Sequence, residues 1–380
     1  MKVLHVYRTY FPDTQGGLEE VIRQICINAQ SLEMEHSVEC RVFYLSKNPM
    51  PDKFSQDGIL TIRAPLHFEI ASCSISLQCM ALFKEQVEWA DIINYHFPWP
   101  FADMLHLLGR VKKPYVVTYH SDIVKQKGLL QLYKPLMKWF LGKADAVVAT
   151  SPNYAKSSDV LSACQDKLEI IPLGISEDSY PSLENDILIS LEEKLGRDFF
   201  LFVGVLRYYK GLHLLLDALR QLPEIKVVIA GKGPEERELK KKVEDLGLNN
   251  VIFVGYVSDA EKVALYTLSR GVIFPSHIRS EAFGVTLLEA SMFSKPMISC
   301  EIETGTSFVN LNGVTGTVVD PSVPSELVKA IRDFHYDPEK VCLLGENARN
   351  RYLNHFTGKS MARSYLELYG KLLNYSSVNR

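Results

Sequence analysis

Residues 271–306 read GVIFPSHIRSEAFGVTLLEASMFSKPMISCEIETGT. Gly271 to Pro275 is short and apolar, the pattern of a buried strand. Polar residues follow (Ser276, His277, Arg279, Ser280), then Glu281. From about Gly284 to Phe293 apolar residues recur at helical spacing, and Pro296 to Cys300 is a second apolar run. Strand, loop, helix and strand make one βαβ unit, which normally builds a parallel sheet.

The turn into that helix points to chemistry. Free amides at a helix start form a donor-rich pocket suited to phosphate. Gly284 lets the backbone approach a ligand closely. Gly284 and Glu289 are roughly 7.5 Å apart along the helix, at about 1.5 Å rise per residue. Glu289 therefore reaches a hydroxyl at some distance from a phosphate held at Phe283, Gly284 and Val285. A carboxylate accepts two hydrogen bonds and pairs well with a sugar diol. The plainer alternative has Glu281 balancing the helix dipole and Glu289 solvated.

Working outward, Phe199 to Val205 reads as the first strand of the same domain. It runs into Gly204-Val-Leu-Arg207-Tyr-Tyr-Lys210-Gly211 and a helix from about Leu212 to Leu222. Two cations at a strand-to-helix turn can address one anion, the Arg fork matching phosphate oxygens and Lys adding a point charge. Alone, such a pair is usually surface charge. Lys226 to Ala230 and Val251 to Val254 are further strands, leading to Gly231-Lys-Gly233 and Gly255-Tyr256.

The N-terminal part repeats the style. Lys2 to Tyr7 is a strand, followed by Gly16-Gly17 and a helix from about Leu18 to Gln30. The full G-x-G-x-x-G is missing, so this is no dinucleotide fingerprint. Arg41 to Leu45, Leu60 to Arg63, Asp91 to Tyr95, Tyr115 to Tyr119, Ala146 to Thr150 and Leu168 to Pro172 complete the strands. His96 to Asp103 (HFPWPFAD) reads as a rigid loop whose aromatics either stack on a sugar or simply pack. His120 follows Tyr119 at a strand end, where α/β folds place ligands. Ile123 to Ala144 holds Lys125, Lys127, Lys134, Lys138 and Lys143, no acid, and the aromatics Trp139 and Phe140. It fits a helix lying on an anionic membrane, or an ordinary surface helix with snorkelling lysines. Gly174 to about Asp198 is polar and carries Pro181, as linkers do.

The 380 residues suffice for two domains, and 47% hydrophobic with 23% charged residues is ordinary for a globular protein. A net charge of −3 gives no basis for non-specific nucleic-acid binding. Seven scattered cysteines without a CxxC pair indicate reduced thiols of a cytosolic protein and argue against zinc. The first apolar run is too short for a signal peptide, and no run reaches the about 20 apolar residues that span a bilayer.

Glu281-Ala-Phe-Gly-Val-Thr-Leu-Leu-Glu289 resembles the E-x7-E signature of the retaining family-4 glycosyltransferases, and the resemblance extends over nearly the whole chain. It implies the GT-B fold: α/β, two Rossmann-like parallel-sheet domains facing across a cleft. The domains expected are 1–175 and 190–357, with a final helix, 358–380, packing back on the first. In that family the Glu matching Glu281 contacts the donor sugar, the amides at Phe283 to Val285 hold the diphosphate, and the Glu matching Glu289 binds the ribose. The cations matching Arg207 and Lys210 bind the diphosphate. Gly16 and Gly17 match a turn facing the donor phosphates, and His120 matches a sugar-contacting histidine. The Gly231 and Gly255 turns surround the base.

Segments 304–310 and 96–103 are similar to those of bacterial O-antigen mannosyltransferases. Glu303 departs from that pattern, where a glycine or small residue is expected. The resemblance thus implies retaining transfer of mannose from GDP-mannose to a glycan on a polyprenyl diphosphate. The enzyme would work at the cytoplasmic face of the inner membrane, without an obligatory metal. A UDP-sugar donor, a nucleotide-sugar epimerase and a non-catalytic scaffold remain the alternatives. A nicotinamide dehydrogenase lacks its glycine fingerprint here.

Overall fold

The structure, a computed structural model, describes residues 1–32, 37–71, 73–123 and 127–378. It divides into two compact units: Met1–Gly174 with Gly358–Arg380, and Ile175–Thr357.

The first unit holds β1 Lys2–Val6, β2 Glu39–Ser46, β3 Lys53–Gln56, β4 Ile59–Pro65, β5 Phe68–Ile70, β6 Cys73–Ile75, β7 Ile92–Phe97, β8 Tyr115–Tyr119, β9 Ala146–Ala149 and β10 Leu168–Ile170. Among the described residues, eight of them form one sheet in the order β10-β9-β8-β7-β1-β2-β4-β3, and β5 and β6 pair separately. All pairings in the large sheet are parallel except β3 on β4, at the edge. Inner strands such as YVVTY and AVVA are buried along their whole length. Helices on both faces require that pattern. The last helix, Gly358–Val378, returns to this sheet. Tyr369 Oη accepts from Asn94 Nδ2 at 2.8 Å, and Tyr365 Oη lies 3.1 Å from Thr118 Oγ1, itself bonded to Asn94 Oδ1 at 2.9 Å. Both phenols that this helix buries there thus have a partner.

The second unit holds β11 Phe200–Val203, β12 Val227–Ala230, β13 Val251–Gly255, β14 Gly271–Phe274, β15 Met297–Cys300 and β16 Gly316–Val319. Their order is β13-β12-β11-β14-β15-β16, all parallel. Numbered within the unit this is 3-2-1-4-5-6, a doubly wound sheet whose order reverses between β11 and β14. Ligands of such sheets bind beyond the strand C-termini at that switch point. Phe202, Leu215, Leu216, Ile229, Ile273 and Ile298 lie in its core, none more than 1% exposed.

Three readings change. Residues 174–198 are not a plain linker. Ile175 donates to Phe356 O and accepts from Tyr352 Oη, so the second unit starts there. Asn185–Leu195 is a helix burying only Leu195, which explains its polar composition. Residues 96–103 are not an open loop either. His96 and Phe97 finish β7, Pro100 opens the helix Pro100–Gly109, and Phe97, Trp99 and Phe101 are buried. Packing, not sugar stacking, occupies those rings. Finally, β16 went unread because its GTVV run is short and follows a glycine-rich turn.

Candidate active site

The second unit assembles its candidate residues at the switch point. After β11 the chain turns through Arg207 to Gly211 into the helix Leu212–Leu219; after β14 it runs through Ser276 to Gly284 into the helix Val285–Met292. Gly211 joins the two turns: its φ is +71°, and a Cβ there would lie 1.9 Å from Pro275 O. Only glycine permits that approach. It brings Lys210 onto Glu281 in a buried ion pair, with Ser276 Oγ donating to Glu281 at 3.3 Å. The Lys210 ammonium also sits 4.8 Å from the Phe274 ring centroid. Arg207 is left outside this pair. It is exposed, and among the described residues its guanidinium has no ion pair. The two cations therefore differ: one is neutralised in place, the other is open to an anion.

Gly284 caps the next helix with φ +86°, and a Cβ there would sit 3.1 Å from the Phe274 ring. The amides of Phe283, Gly284 and Val285 precede the first bond of this turn, Leu287 N–H to Gly284 O at 2.9 Å. Among the described residues no hydrogen bond is made by these amides outside the helix's own ladder, as at other helix starts.

Glu289 is 6% exposed and not solvated. Its Oε1 accepts from Tyr180 Oη at 2.7 Å and Lys262 Nζ at 2.8 Å, and its Oε2 from Tyr266 Oη at 2.9 Å. A carboxylate has about four acceptor positions, so roughly one is left. Burial would lower the Lys262 pKa, but Glu289 and Asp259 overcome it and raise it; burial, then Glu289, raises the Tyr266 phenol. Sequence reading missed all three partners. Lys262, Tyr266 and Tyr180 lie 27, 23 and 109 positions from Glu289, with no local pattern to connect them.

The neighbouring loop explains the departure at Glu303. Its φ is +56°, the left-handed region that favours glycine. Arg279 Nη1 holds its carbonyl at 2.9 Å. Thr304 and Asn310 are buried, and Asn310 Nδ2 donates to Ser299 Oγ at 2.8 Å. This segment is framework.

In the first unit, Gly16 caps the helix Gly17–Ser31 with an extended backbone. The Glu19 carboxylate folds over that turn, its Oε2 2.7 Å from where a Gly16 Cβ would be, and it accepts from Thr9 and Thr14. An anion approaching Gly16 would meet that carboxylate. His120 directly follows β8 and is 5% exposed. Its Nε2 is 2.9 Å from His96 Nδ1, and His96 Nε2 is 3.0 Å from His5 Nδ1. Burial pushes His120 down to about 3; burial, then the His120 and His5 rings, lowers His96. His5 was not singled out in sequence, and His96 only as the first residue of the 96–103 segment.

Known proteins share this architecture and this sequence. Residues 15–179 match the family described as Glycosyltransferase Family 4, and residues 185–351 match Glycosyl transferases group 1. The chain is 48% identical over 357 residues to the D-rhamnosyltransferase WbpZ of Pseudomonas aeruginosa, covering 94% of this chain and 92% of that one. It is 45% identical to O-antigen chain mannosyltransferase C of Escherichia coli, covering 99% and 100%. Among solved structures, sucrose-phosphate synthase of Thermosynechococcus elongatus superposes with a TM-score of 0.79 at 21% identity, covering 98% and 99%. Anabaena Alr3699/HepE in complex with UDP does so at 0.77 and 20%, covering 98% and 100%. At that identity the structures speak for the fold alone, and the two close sequence relatives speak for the family. The chain is a family-4 glycosyltransferase with the GT-B fold.

Proposed function

We propose that this enzyme transfers α-mannose from GDP-mannose, with retention, to a lipid-linked glycan during O-antigen synthesis. The observation that carries the reading is near-full-length identity of 45% to an O-antigen mannosyltransferase, joined to the Arg207, Lys210–Glu281 and Glu289 cluster at the switch point. In this reading Arg207 and the amides of Phe283 to Val285 take the diphosphate, and Lys210 adds charge from its pair with Glu281. Preorganised donors of that kind stabilise the charge that builds on the leaving nucleoside diphosphate. On the second unit Glu281 holds the sugar and Glu289 meets the ribose; on the first unit, taken by itself, His120 is a sugar contact. The acceptor hydroxyl attacks from the face the diphosphate leaves. The proton passes to that leaving phosphate, and no metal is required.

The 48% identity to a D-rhamnosyltransferase favours a second donor, the 6-deoxy counterpart of the same sugar. A thermal-shift panel separates the two. Ligands that bind the native state raise Tm by mass action. The panel holds GDP-mannose, GDP-D-rhamnose, GDP, UDP-glucose and UDP-N-acetylglucosamine, without metal. The largest shift is expected with GDP-mannose; a shift with UDP-sugars alone would overturn the donor.

We also propose peripheral docking on an anionic membrane. No helix among the described residues is long and apolar enough to cross one. Lys125 lies outside the described residues. On the helix Lys127–Lys143, Met137, Phe140 and Leu141 pack inward while Leu132, Lys134, Lys138 and Trp139 are exposed. A pocket of about 610 Å³ adjoins it, lined by Arg110, Lys112, Lys113, Trp139 and Lys143 among others. Cations beside exposed apolar side chains suit an anionic interface. Equal pelleting with neutral and anionic liposomes would count against docking.

A further inference from the structure

His5, His96 and His120 form a continuous file inside the first unit. His5 and His96 stand on β1 and β7, and His120 directly follows β8; the three strands are neighbours. Their rings stack, with centroids 5.3 Å apart for His5–His96 and 5.2 Å for His96–His120. None is more than 5% exposed. One end of the file is His120 at the C-terminal end of β8, where doubly wound sheets meet their ligands. The other end is His5 Nε2, buried and without a hydrogen-bond partner among the described residues. Beside it stand the buried thiols of Cys26 and Cys40, with ligand atoms all within 4.8 Å of one another.

We propose that His5 and His96 are positioning residues that fix His120 as a neutral imidazole protonated on Nδ1, giving it one N–H to donate to an oxygen of the bound sugar. The last clause rests on the reading of His120 as a sugar contact.

The argument is proton counting. A neutral imidazole has one donor and one acceptor nitrogen. Burial holds His96 and His120 below their ordinary range, so both are neutral near pH 7. Each shared contact carries one proton, so the file has only two polarities. In the outward one, His5 Nδ1–H donates to His96 Nε2, and His96 Nδ1–H donates to His120 Nε2. His120 then carries its proton on Nδ1, and His5 Nε2 is a bare lone pair. In the inward one every role reverses. His5 then buries an Nε2–H with only sulfur nearby, and His120 faces the ligand with a lone pair.

The far end decides between them. Sulfur is a weak acceptor, and a buried donor without an acceptor costs about 1–3 kcal/mol. A bare ring nitrogen is tolerated better, because under-satisfied acceptors are the commoner exception in native structures. The outward polarity is therefore favoured. His120 Nδ1, which has no partner among the described residues, is then its donor. The ligand-facing proton is set by groups two strands away.

The test uses the full-length chain labelled with 15N-histidine. Two-bond 1H–15N spectra at pH 7.5 distinguish protonated from bare ring nitrogens, and His5→Asn, His96→Gln and His120→Gln variants assign the rings. The expected result is a protonated Nδ1 and a bare Nε2 on His120. A protonated Nε2 on His120 overturns the proposal. Kinetics give the second arm. Asparagine at position 5 keeps an N–H near the Nδ1 position, and leucine removes it. His5→Leu is expected to lose about tenfold in kcat/KM, the scale of one hydrogen bond, and to give His120 a mixed tautomer. His5→Asn is expected to restore both. Equal kcat/KM for the two variants with an unchanged His120 tautomer overturns the positioning role. A fully active His120→Ala enzyme would overturn the sugar contact alone, because the tautomer is read without substrate.

Discussion

The two units share a sheet plan and differ in chemistry. In each, the strand order turns back beside the unit's first strand, at β1/β7 and at β11/β14. In the second unit that place is built from charge: an exposed Arg207, a Lys210–Glu281 pair, and Lys262 on Glu289. In the first it is built from buried, stacked imidazoles. Topology fixes where a ligand goes, and side chains fix what kind. Fixed charge suits a diphosphate, which is itself charged. A neutral N–H suits a sugar hydroxyl, because a buried charge beside an uncharged group goes uncompensated.

The contrast breaks most visibly at the two cations. Lys210→Ala strands Glu281, which is only 12% exposed at its side chain. Removing one partner of a buried pair typically costs about 3–5 kcal/mol of stability, so a large fall in the denaturation midpoint is expected along with lost activity. Adding Glu281→Gln should recover much of the stability and none of the activity. Arg207→Ala strands nothing. It is expected to leave Tm unchanged and to cost about 2–4 kcal/mol of transition-state energy, the scale for one preorganised donor. A near-normal kcat for Arg207→Ala would remove that residue from the chemistry.

This difference between the cations was only half legible in sequence. The strands were readable because continuous apolar runs of four to six residues sit between glycines and polar turns. β3 was not, since KFSQ is half exposed at a sheet edge. The Glu281-to-Glu289 spacing and the Arg207-to-Lys210 turn lie in contiguous segments, so motif and position agree. What the motif could not say is that Lys210 is already spent on Glu281. That follows from Gly211 touching Pro275, a contact across 64 positions of sequence. The histidine file is invisible for a similar reason: its members are neighbours only once β8, β7 and β1 are laid side by side.

Acid sharpens the comparison at a lower energy. The folded pKa of His120, about 3, lies below the unfolded value near 6.5. The unfolded chain therefore takes up the proton first. The stability that neutrality brings is present above about pH 6.5 and is lost as pH falls from there toward 3. The slope is at most about 1.4 kcal/mol per pH unit for each such histidine. His96 and His106, both lowered by burial, add to it in the same direction. In the second unit His213 and His277 are lowered too, but both are partly exposed, so a shallower slope is expected there. All three tryptophans, Trp89, Trp99 and Trp139, belong to the first unit. Tryptophan fluorescence thus reports that unit, while far-UV circular dichroism reports both. Between pH 7.5 and 5 the fluorescence midpoint should fall faster. Midpoints that move together would show that the imidazole file does not set the acid response.

The smallest effect tests whether Glu289 is complete or waiting. A ribose diol that uses both carboxylate oxygens must displace a donor from Oε1, since Tyr180 and Lys262 already occupy it. Tyr266 is fully buried and Lys262 is charged, whereas Tyr180 is neutral and partly exposed. Tyr180 is therefore the donor that yields. Tyr180→Phe should lower the stability of the ligand-free enzyme by about 1 kcal/mol, one net hydrogen bond. It should also tighten nucleoside diphosphate binding about fivefold, the same energy no longer given up on binding. Calorimetric titration with GDP reads the second number directly. Weaker binding by the variant would mean that Tyr180 stays on Glu289 when nucleotide is bound, and that the ribose takes only the open position on Oε2. Either way the carboxylate works as a member of a charged network, unlike the stacked imidazoles of the first unit.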